Sequence, residues 1–344
     1  MFALRQTEIT QDLLLDEILF EDAAALLDIL ANHAGVKRSN PNRSKGGTVG
    51  QYPFPGPNPV SIDRSDFPKF SAQPYLVTEK TDGVRALMLL CDYRGVHLQV
   101  LFPRNLRPYL FAMQNVPRAL YGGTVFDGEL VWDRVDERFV YLMYDAIDVS
   151  GVPVFHLPFT KRLDAIRMGL SHYTPHDKDP GLLRVKTFIP FTADPAPLDA
   201  HIKKVNARYA TDGIIFMPEF DRVLYGRHDT LFKLKQHHTL DFLCKNGKLH
   251  IYDETTKRNR VVGVATGPNA HLATQNAIVE CEWDAVSSGP GKYDAWRVLM
   301  KRTDKTTSNN KYTYDKTLLN IRENLTYSDI LKSVFSSHGN PRWE

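Results

Sequence analysis

The sequence predicts an α+β protein with two domains, the second of which is a small barrel of strands. The chain has 344 residues, which is more than a single hydrophobic core usually serves. Up to residue 238, short apolar runs alternate with turn signals and helix-like segments, whereas short strands dominate after it. We therefore expect an antiparallel-sheet domain over 1–238, a barrel over 239–315 and a helical segment over 316–344.

The first domain is expected to begin with a helical extension over residues 1–60. Apolar residues from Ile9 to Gly35 recur at helical spacing, and residues 8–28 contain seven acids and no Lys or Arg. This acidic helix either packs on its own domain or serves as a docking surface for a partner. The next stretch, VKRSNPNRSKGGTVGQYPFPGPNPV, has the Pro, Gly, Asn and Ser content of a long loop.

The rest of the first domain is expected to contain antiparallel strands and two helices. From about Tyr75 to Val149, apolar runs such as HLQVLF and RFVYLMYDAIDVSG alternate with turn signals. PFTKRLDAIRMGL and PLDAHIKKVNARY have helical periodicity, and DGIIFMPE and LFKLKQ return to strand. The strand-only segments that follow are FLCKNGKLHIYD, NRVVGVAT, AIVECEWD and AWRVLMKR, and the KNGK turn within the first of them predicts a hairpin. They suit a small barrel of the oligonucleotide-binding (OB) type, with a small sandwich as the alternative.

Composition narrows the classes of protein that the chain can represent. No apolar run approaches the roughly 18 residues that span a bilayer, so we expect no membrane association. Cys91, Cys244 and Cys281 are far apart and match neither a disulfide framework nor a zinc site. With no secretion signal, this predicts an intracellular protein, without deciding between nucleus, cytoplasm and virion. Basic stretches lie in the later part of the chain, where a polyanion would bind.

The segment LVTEKTDGVRALMLL interrupts an apolar strand with four ionisable residues, Glu79, Lys80, Asp82 and Arg85. Charges in a buried strand are costly unless each has a partner or a ligand. A lysine amine, with an ordinary pKa of about 10.4, becomes a nucleophile when burial and nearby cations lower that pKa. The alternative is a lysine at a strand end that pairs with Glu79 or Asp82 before a turn at Gly83.

KTDGVR resembles the Lys-x-Asp-Gly-x-Arg signature of the covalent nucleotidyltransferases, the superfamily of mRNA capping guanylyltransferases and ATP-dependent DNA and RNA ligases. Segments similar to the other motifs of the superfamily follow in the same order. They are FDGEL (126–130), FVYLMYDAIDVSG (139–151), TDGIIFMP (211–218), LFKLKQHHTLDF (231–242) and WRVLMKRTDKTTSNN (296–310). The resemblance implies an ATP-grasp-like nucleotidyltransferase domain followed by a C-terminal OB-fold barrel.

Details of these motifs favour a capping enzyme. TDGIIFMP lacks the Glu-Gly pair typical of ligases, RTDK is followed by Asn309, and NPVSIDR (58–64) resembles the capping enzymes of large DNA viruses. Met300 departs from the pattern, because many capping enzymes have Arg there. The resemblance implies an mRNA guanylyltransferase that transfers GMP from GTP, through a lysyl-GMP intermediate, to the 5′-diphosphate end of RNA. The alternatives are an ATP-dependent ligase with a lysyl-AMP intermediate and a non-enzymatic module with a decayed site that binds RNA ends or a partner.

The resemblance also implies a role for individual residues. Lys80 is the nucleophile that attacks the α-phosphate of GTP. Asp212 and Glu129 support Mg²⁺ or Mn²⁺, although Asp212, like Asp127, is alternatively a turn-forming residue of an Asp-Gly pair. The nucleotide-binding residues are Thr81, Arg85, Arg104, Glu129, Tyr144, Lys186, Lys233, Lys235, Arg302, Asp304 and Lys305.

Within this set, the resemblance places Tyr144 on the purine ring and Lys186 on guanine O6. Lys233 and Lys235 flank the α-phosphate from one face of a strand. The RTDK residues on the barrel reach the β- and γ-phosphates, and Asp241 lies where a hinge is expected. No second catalytic constellation is visible, so we expect RNA triphosphatase and cap methyltransferase activities on partner proteins.

Overall fold

The computed structural model describes residues 20–37, 52–303 and 305–336. Within these ranges the chain forms two compact units. The first contains the described residues up to Val60, Pro68–Lys233 and the chain from Val334, and the second contains Ser61–Phe67 and Leu234–Ser333. The chain passes from the first unit to the second near the predicted boundary at 238, which itself stays a prediction. None of the described helices is long and apolar enough to cross a membrane.

The first unit combines two sheets with three helices. Its helices are α1 (Phe20–Ala34), α2 (Phe159–Gly169) and α3 (Ala196–Asn206). Its strands are β1 (Pro57–Ser61), β2 (Tyr75–Thr81), β3 (Val84–Tyr93), β4 (Val96–Pro103), β5 (Tyr109–Leu110), β6 (Gly122–Asp133), β7 (Arg138–Val149), β8 (Val152–Pro153), β9 (Leu182–Val185), β10 (Ile189–Pro190), β11 (Thr211–Pro218) and β12 (Gly226–Lys235). A 3₁₀ helix covers Arg64–Ser71.

The two sheets of the first unit are mainly antiparallel. One has the order β1-β12-β11-β2-β10, and the other has the order β5-β4-β3-β6-β7-β8, with β9 pairing parallel to β7. Since β2 belongs to the first sheet and β3 to the second, the two-residue turn at Asp82 and Gly83 passes the chain between the sheets. The predicted α+β class with antiparallel sheets is confirmed.

Strand β3 explains the unbroken apolar run that follows the charged segment. Met88 and Leu90 pack in one hydrophobic cluster, whereas Leu87 and Leu89 pack in another on the opposite face. A strand buried on both faces needs apolar residues at every position. Leu26 and Leu30 of α1 belong to the second cluster, so this helix packs on its own domain. Of the two possibilities that the sequence leaves open for the acidic helix, packing on its own domain is the one that its described part shows.

The second unit contains a closed five-stranded barrel in the order β13-β14-β15-β17-β16. Its strands are β13 (Thr239–Lys245), β14 (Lys248–Asp253), β15 (Arg258–Thr266), β16 (Ile278–Trp283) and β17 (Ala295–Lys301). Asn246 and Gly247, with φ of 51° and 71°, form the hairpin turn that KNGK predicts. Phe242 and Trp296 are fully buried at its centre. The predicted OB-type barrel is confirmed, and the sandwich alternative is wrong.

Helices follow the barrel, somewhat earlier than predicted. The helices after the barrel are α5 (Lys311–Glu323) and α6 (Tyr327–Ser336), whereas the short helix α4 (Ala285–Ser288) lies between β16 and β17. Helix α5 begins at residue 311 rather than 316, because the side chain of Asn310 caps it by accepting a hydrogen bond from the Thr313 amide. Leu318 of this helix packs in the barrel core.

One strand lies where the sequence predicts a loop. Residues 57–61, with two prolines among them, form β1 at the edge of the five-stranded sheet, next to β12. An edge strand tolerates proline because only one of its sides must donate to a neighbour. The extension over 1–60 is therefore not purely helical, and its predicted helical part before residue 20 lies outside the described residues.

Candidate active site

Lys80 lies near the end of β2, opposite Gly213 of the neighbouring strand β11. The pairing shifts register between Thr211 and Gly213, so Asp212 is the extra residue of a β-bulge. Its carboxylate lies 2.7 Å from Lys80 Nζ, and the two side chains are 23% and 29% exposed. Lys80 therefore pairs with Asp212. The alternative drawn from the sequence, a pair with Glu79 or Asp82, is wrong.

Gly83 makes the turn after Lys80 possible. A Cβ atom at this position would lie 2.4 Å from the backbone oxygen of Leu130, and backbone cannot move aside as a flexible side chain can. The Gly83 amide also donates to Glu129 Oε1 at 3.3 Å. The glycine of KTDGVR is thus required by the close approach of β6, and it brings Glu129 to the end of β2.

Arg85 forms a buried ion pair with Asp127 of β6. Its Nε and Nη2 atoms donate to the two carboxylate oxygens at 3.0 and 2.5 Å, and Nη1 donates to the Pro57 carbonyl at 2.6 Å. Tyr144 Oη also donates to Asp127, at 2.9 Å. Burial lowers the pKa of Arg85, but Asp127 outweighs it and raises that pKa above its ordinary value. Burial raises the pKa of Tyr144 well above its usual range.

The alternative that Asp127 is a turn residue is wrong, since it lies inside a strand and orders Arg85 and Tyr144. Sequence reasoning missed this function. The sequence does offer a signal for it, because Asp127 and Glu129 straddle a glycine and so share one face of the strand.

Arg104 follows β4 and lies close to Arg85. The centre of the Phe54 ring is 5.1 Å from the Arg85 guanidinium carbon and 5.9 Å from that of Arg104. Arg104 Nη1 donates to Asn58 Oδ1 at 3.2 Å. Burial and, next, the charge of Arg85 lower the pKa of Arg104. Because Asp127 neutralises Arg85, the exposed guanidinium of Arg104 is the one of the two that offers positive charge to a phosphate.

Lys186 links Thr81 to the buried Glu79, through a hydrogen bond to Thr81 and an ion pair with Glu79. Thr81 Oγ1 donates to Glu129 Oε2 at 2.6 Å and accepts from Lys186 Nζ at 3.0 Å. Lys186 Nζ is also 3.2 Å from Glu79 Oε1, and His201 Nε2 is 2.6 Å from Glu79 Oε2. Burial alone raises the pKa of Glu79, but Lys186, His201 and Thr78 outweigh burial and lower it to about 2.

Lys233 and Lys235 follow the alternation that the sequence predicts for strand β12. Both lysines are partly exposed, and Leu234 between them is buried. The described residues contain no group of three or more His, Cys, Asp or Glu that could hold a metal ion. Asp212 and Glu129 supply the hard oxygen ligands that Mg²⁺ prefers, and this ion is usually bound by one or two carboxylates together with substrate phosphates. The residues therefore fit an ion that arrives with phosphates.

On the barrel, two of the predicted phosphate-binding residues meet at one carboxylate. Arg302 Nη1 lies 3.1 Å from both Asp241 Oδ1 and Glu280 Oε2, and Lys305 Nζ donates to Asp241 Oδ2. Asn309 holds Asp241 in place, since its side chain accepts from the Asp241 amide at 2.7 Å. Asp241, considered in the sequence only as part of a hinge, therefore gathers these cations. Asp304 lies outside the described residues.

Known proteins match both units. The family model for the mRNA capping enzyme catalytic domain matches residues 32–237, and that for the mRNA capping enzyme C-terminal domain matches residues 220–331. An mRNA-capping enzyme of Danio rerio is 31% identical over 57% of this chain and 35% of its own length. One of Caenorhabditis elegans is 24% identical over 82% of this chain and 49% of its own length. The mRNA-capping enzyme subunit alpha of Schizosaccharomyces pombe is 25% identical over 82% and 80%.

The chain thus spans from about a third to about a half of the first two relatives. Among solved structures, mycobacterial DNA ligase D complexed with ATP and MES has a TM-score of 0.42 and 15% identity over 72% of this chain and 93% of that chain. So low a score does not distinguish a ligase from a capping enzyme. The family matches do distinguish them, and they confirm the resemblance that KTDGVR and the later motifs carry. The catalytic-domain model alone covers more than half of the sequence, and this protein belongs to the mRNA capping enzyme family.

Proposed function

We propose that the protein is an mRNA guanylyltransferase that forms a covalent lysyl-GMP intermediate on Lys80. The observation that carries the proposal is the position of this amine, which is partly exposed at the end of β2 and 2.7 Å from Asp212, within KTDGVR. The superfamily members that the motif resembles include ligases, which use ATP. Membership of the capping enzyme family favours GTP as the substrate.

The reaction begins with the neutral amine of Lys80. The ammonium separates from Asp212 and gives up a proton to solvent, which reaches this partly exposed pair. The nitrogen lone pair attacks the α-phosphorus of GTP, a P–N bond forms, and the P–O bond to the β-phosphate breaks. Pyrophosphate leaves with the electrons of that bond. In the second step the terminal oxygen of an RNA 5′-diphosphate attacks the same phosphorus and forms a P–O bond, and the P–N bond breaks as the Lys80 nitrogen takes up a proton from solvent.

The surrounding side chains support binding and orientation. Arg104, beside the fixed guanidinium of Arg85, offers positive charge near the ribose and the phosphates of the nucleotide. Thr81 and Glu129 are hydrogen-bonded to each other at 2.6 Å, which holds polar groups in fixed positions next to the nucleophile. Mg²⁺ or Mn²⁺, when bound by Asp212 and Glu129 together with the phosphates, would neutralise charge on the phosphoryl group.

The proposed reaction requires other activities. An RNA triphosphatase must supply the 5′-diphosphate end, and a cap methyltransferase must act on the product. We assign both to partner proteins. The three cysteines are buried and free, which supports an intracellular site for the reaction.

Covalent labelling tests this function. The protein is incubated with Mg²⁺ and GTP or ATP labelled at the α-phosphate, and the label is located by mass spectrometry of peptides. We expect a GMP adduct on Lys80 that pyrophosphate reverses and that Lys80→Ala abolishes. Lys203→Ala, which removes an exposed lysine of α3, is the matched control and should label normally. An AMP adduct would support the ligase alternative, and the absence of any adduct would support a module that only binds RNA ends.

A further inference from the structure

His201 lies outside every motif of the family, yet its ring reaches a buried acid next to the nucleophile. It belongs to α3, its side chain is only 11% exposed, and Nε2 lies 2.6 Å from Glu79 Oε2. Glu79 is 2% exposed and directly precedes Lys80. A buried carboxylate needs partners for both of its oxygens, and here the second oxygen, Oε1, faces the Lys186 ammonium at 3.2 Å.

Two contacts fix the position of the Lys186 ammonium. The Lys186 ammonium donates a hydrogen bond to Thr81 Oγ1 at 3.0 Å and forms an ion pair with Glu79 Oε1 at 3.2 Å. Both partners are themselves held, Glu79 by His201 and Thr81 by its hydrogen bond to Glu129. The ammonium is thereby held in one place, beside Thr81, which is the residue after Lys80.

We propose that His201 is a positioning residue that sets base selectivity through Glu79 and Lys186. The inference rests on the proposed function, in which Lys186 donates to guanine O6. Such a donor favours guanine, which presents an acceptor at this position, over adenine, which presents an amino group. Without His201, Glu79 Oε2 is available to Lys186, so that the ammonium can shift along the carboxylate and away from the base.

The site should survive the loss of the imidazole. Thr78 Oγ1 also lies 2.7 Å from Glu79 Oε2, and it lies 2.8 Å from the Thr187 carbonyl. Glu79 therefore keeps a neutral partner when His201 is replaced. A variant such as His201→Leu, which fills a similar volume without a donor, should fold and still form the adduct on Lys80.

The experiment compares two nucleotides on the full chain. Rates of Lys80 adduct formation are measured with α-labelled GTP and with α-labelled 2-aminopurine riboside triphosphate, which keeps the 2-amino group but has no oxygen at position 6. We expect the wild type to prefer GTP and His201→Leu to lose about tenfold of that preference, the size of one hydrogen bond to a charged group. His201→Gln, which retains an N–H donor, should stay within about threefold of the wild type.

Lys186→Ala should reduce the preference as much as His201→Leu, and the double variant should reduce it no further, because both changes act through one ammonium. A fall of the two rates by the same factor in His201→Leu would overturn the proposal and leave His201 a purely structural role. A wild type that labels Lys80 with GMP but does not distinguish the two nucleotides would overturn it while the proposed function stands. If neither nucleotide labels Lys80, both proposals fail.

Discussion

Two ion pairs of the first unit, whose cations Lys80 and Arg85 both belong to KTDGVR, differ in burial. Arg85 and Asp127 have side chains that are 10% and 4% exposed, and two nitrogens of the guanidinium bind both carboxylate oxygens. Lys80 and Asp212 make a single contact, and their side chains are 23% and 29% exposed. The buried pair has a fixed geometry, whereas the partly exposed pair can separate at little cost because water solvates each partner.

The difference shows how one motif supplies both scaffold and reagent. A nucleophilic amine must release its carboxylate and its proton before it attacks, so a weak and accessible contact suits Lys80. The groups that orient a ligand must not move, so a buried and fully bonded pair suits Arg85. KTDGVR thus joins a mobile cation and a fixed one across a turn that only glycine fits.

The largest effect on the free energy of unfolding is expected from Arg85→Met. This change leaves the buried Asp127 carboxylate without its cation, which should lower the free energy of unfolding by about 3–5 kcal/mol. Hydrogen exchange of the β3 and β6 amides, read by mass spectrometry, measures the loss within the first unit. Arg85→Met combined with Asp127→Leu is the control, and it should recover part of the loss because no buried charge remains. A decrease below about 1 kcal/mol in the single variant would contradict the comparison.

Glu79, like Arg85, is a buried charged side chain, and its lowered pKa predicts that the stability of the fold depends on pH. Its folded-state pKa of about 2 lies below the ordinary value of 4.5, so its ionised form stabilises the fold above pH 4.5. That stability should be lost as the pH falls from 4.5 towards 2, by up to about 3 kcal/mol. Urea denaturation of the wild type and Glu79→Gln across this range measures it. The difference between them should shrink with acid, and a constant difference would show that the carboxyl titrates alike in both states.

On the barrel, Arg302 is intermediate between Arg85 and Lys80 in exposure. Arg302, 20% exposed, shares Asp241 with Lys305 and also contacts Glu280. We expect Arg302→Ala to slow adduct formation from GTP by at least about tenfold, or about 1.4 kcal/mol, because its predicted contacts are with the departing pyrophosphate. Transfer of preformed GMP to RNA should slow much less. Quenched-flow measurement of each half-reaction separates the two steps, and equal losses in both would remove this role from Arg302.

The sequence predicts elements and motifs better than it predicts which charges meet. The apolar run of β3, the KNGK hairpin and the alternation at Lys233 and Lys235 were predictable, because local periodicity determines them. Asp212 as the partner of Lys80 was not predictable as a contact, since it depends on a β-bulge 132 residues further along the chain. Strand β1 was missed because pairing at a sheet edge, rather than local propensity, forms it.

His201 shows the same limit for a single side chain. It lies on a helix with no motif around it, and only the packing of α3 on β2 brings it to Glu79. Asp127 is a partial exception, because its place beside Glu129 on one strand face was visible, although its partners were not. Residues that act through tertiary contacts leave no periodic signal in a sequence, whereas residues of a motif leave one.

The smallest effect on stability is expected at the residue with the largest effect on chemistry. Lys80→Met keeps an unbranched side chain, one atom shorter than lysine, and removes the amine with its charge and its hydrogen bond to Asp212. Because Asp212 is 29% exposed and can be solvated, the free energy of unfolding should change by less than about 1 kcal/mol. Hydrogen exchange of the β2 and β11 amides, measured beside Arg85→Met, tests this directly, while covalent labelling by GTP should vanish. A loss of stability as large as that of Arg85→Met would mean that the Lys80–Asp212 pair stabilises the fold. A lysine held in such a pair could not leave its carboxylate to attack phosphorus.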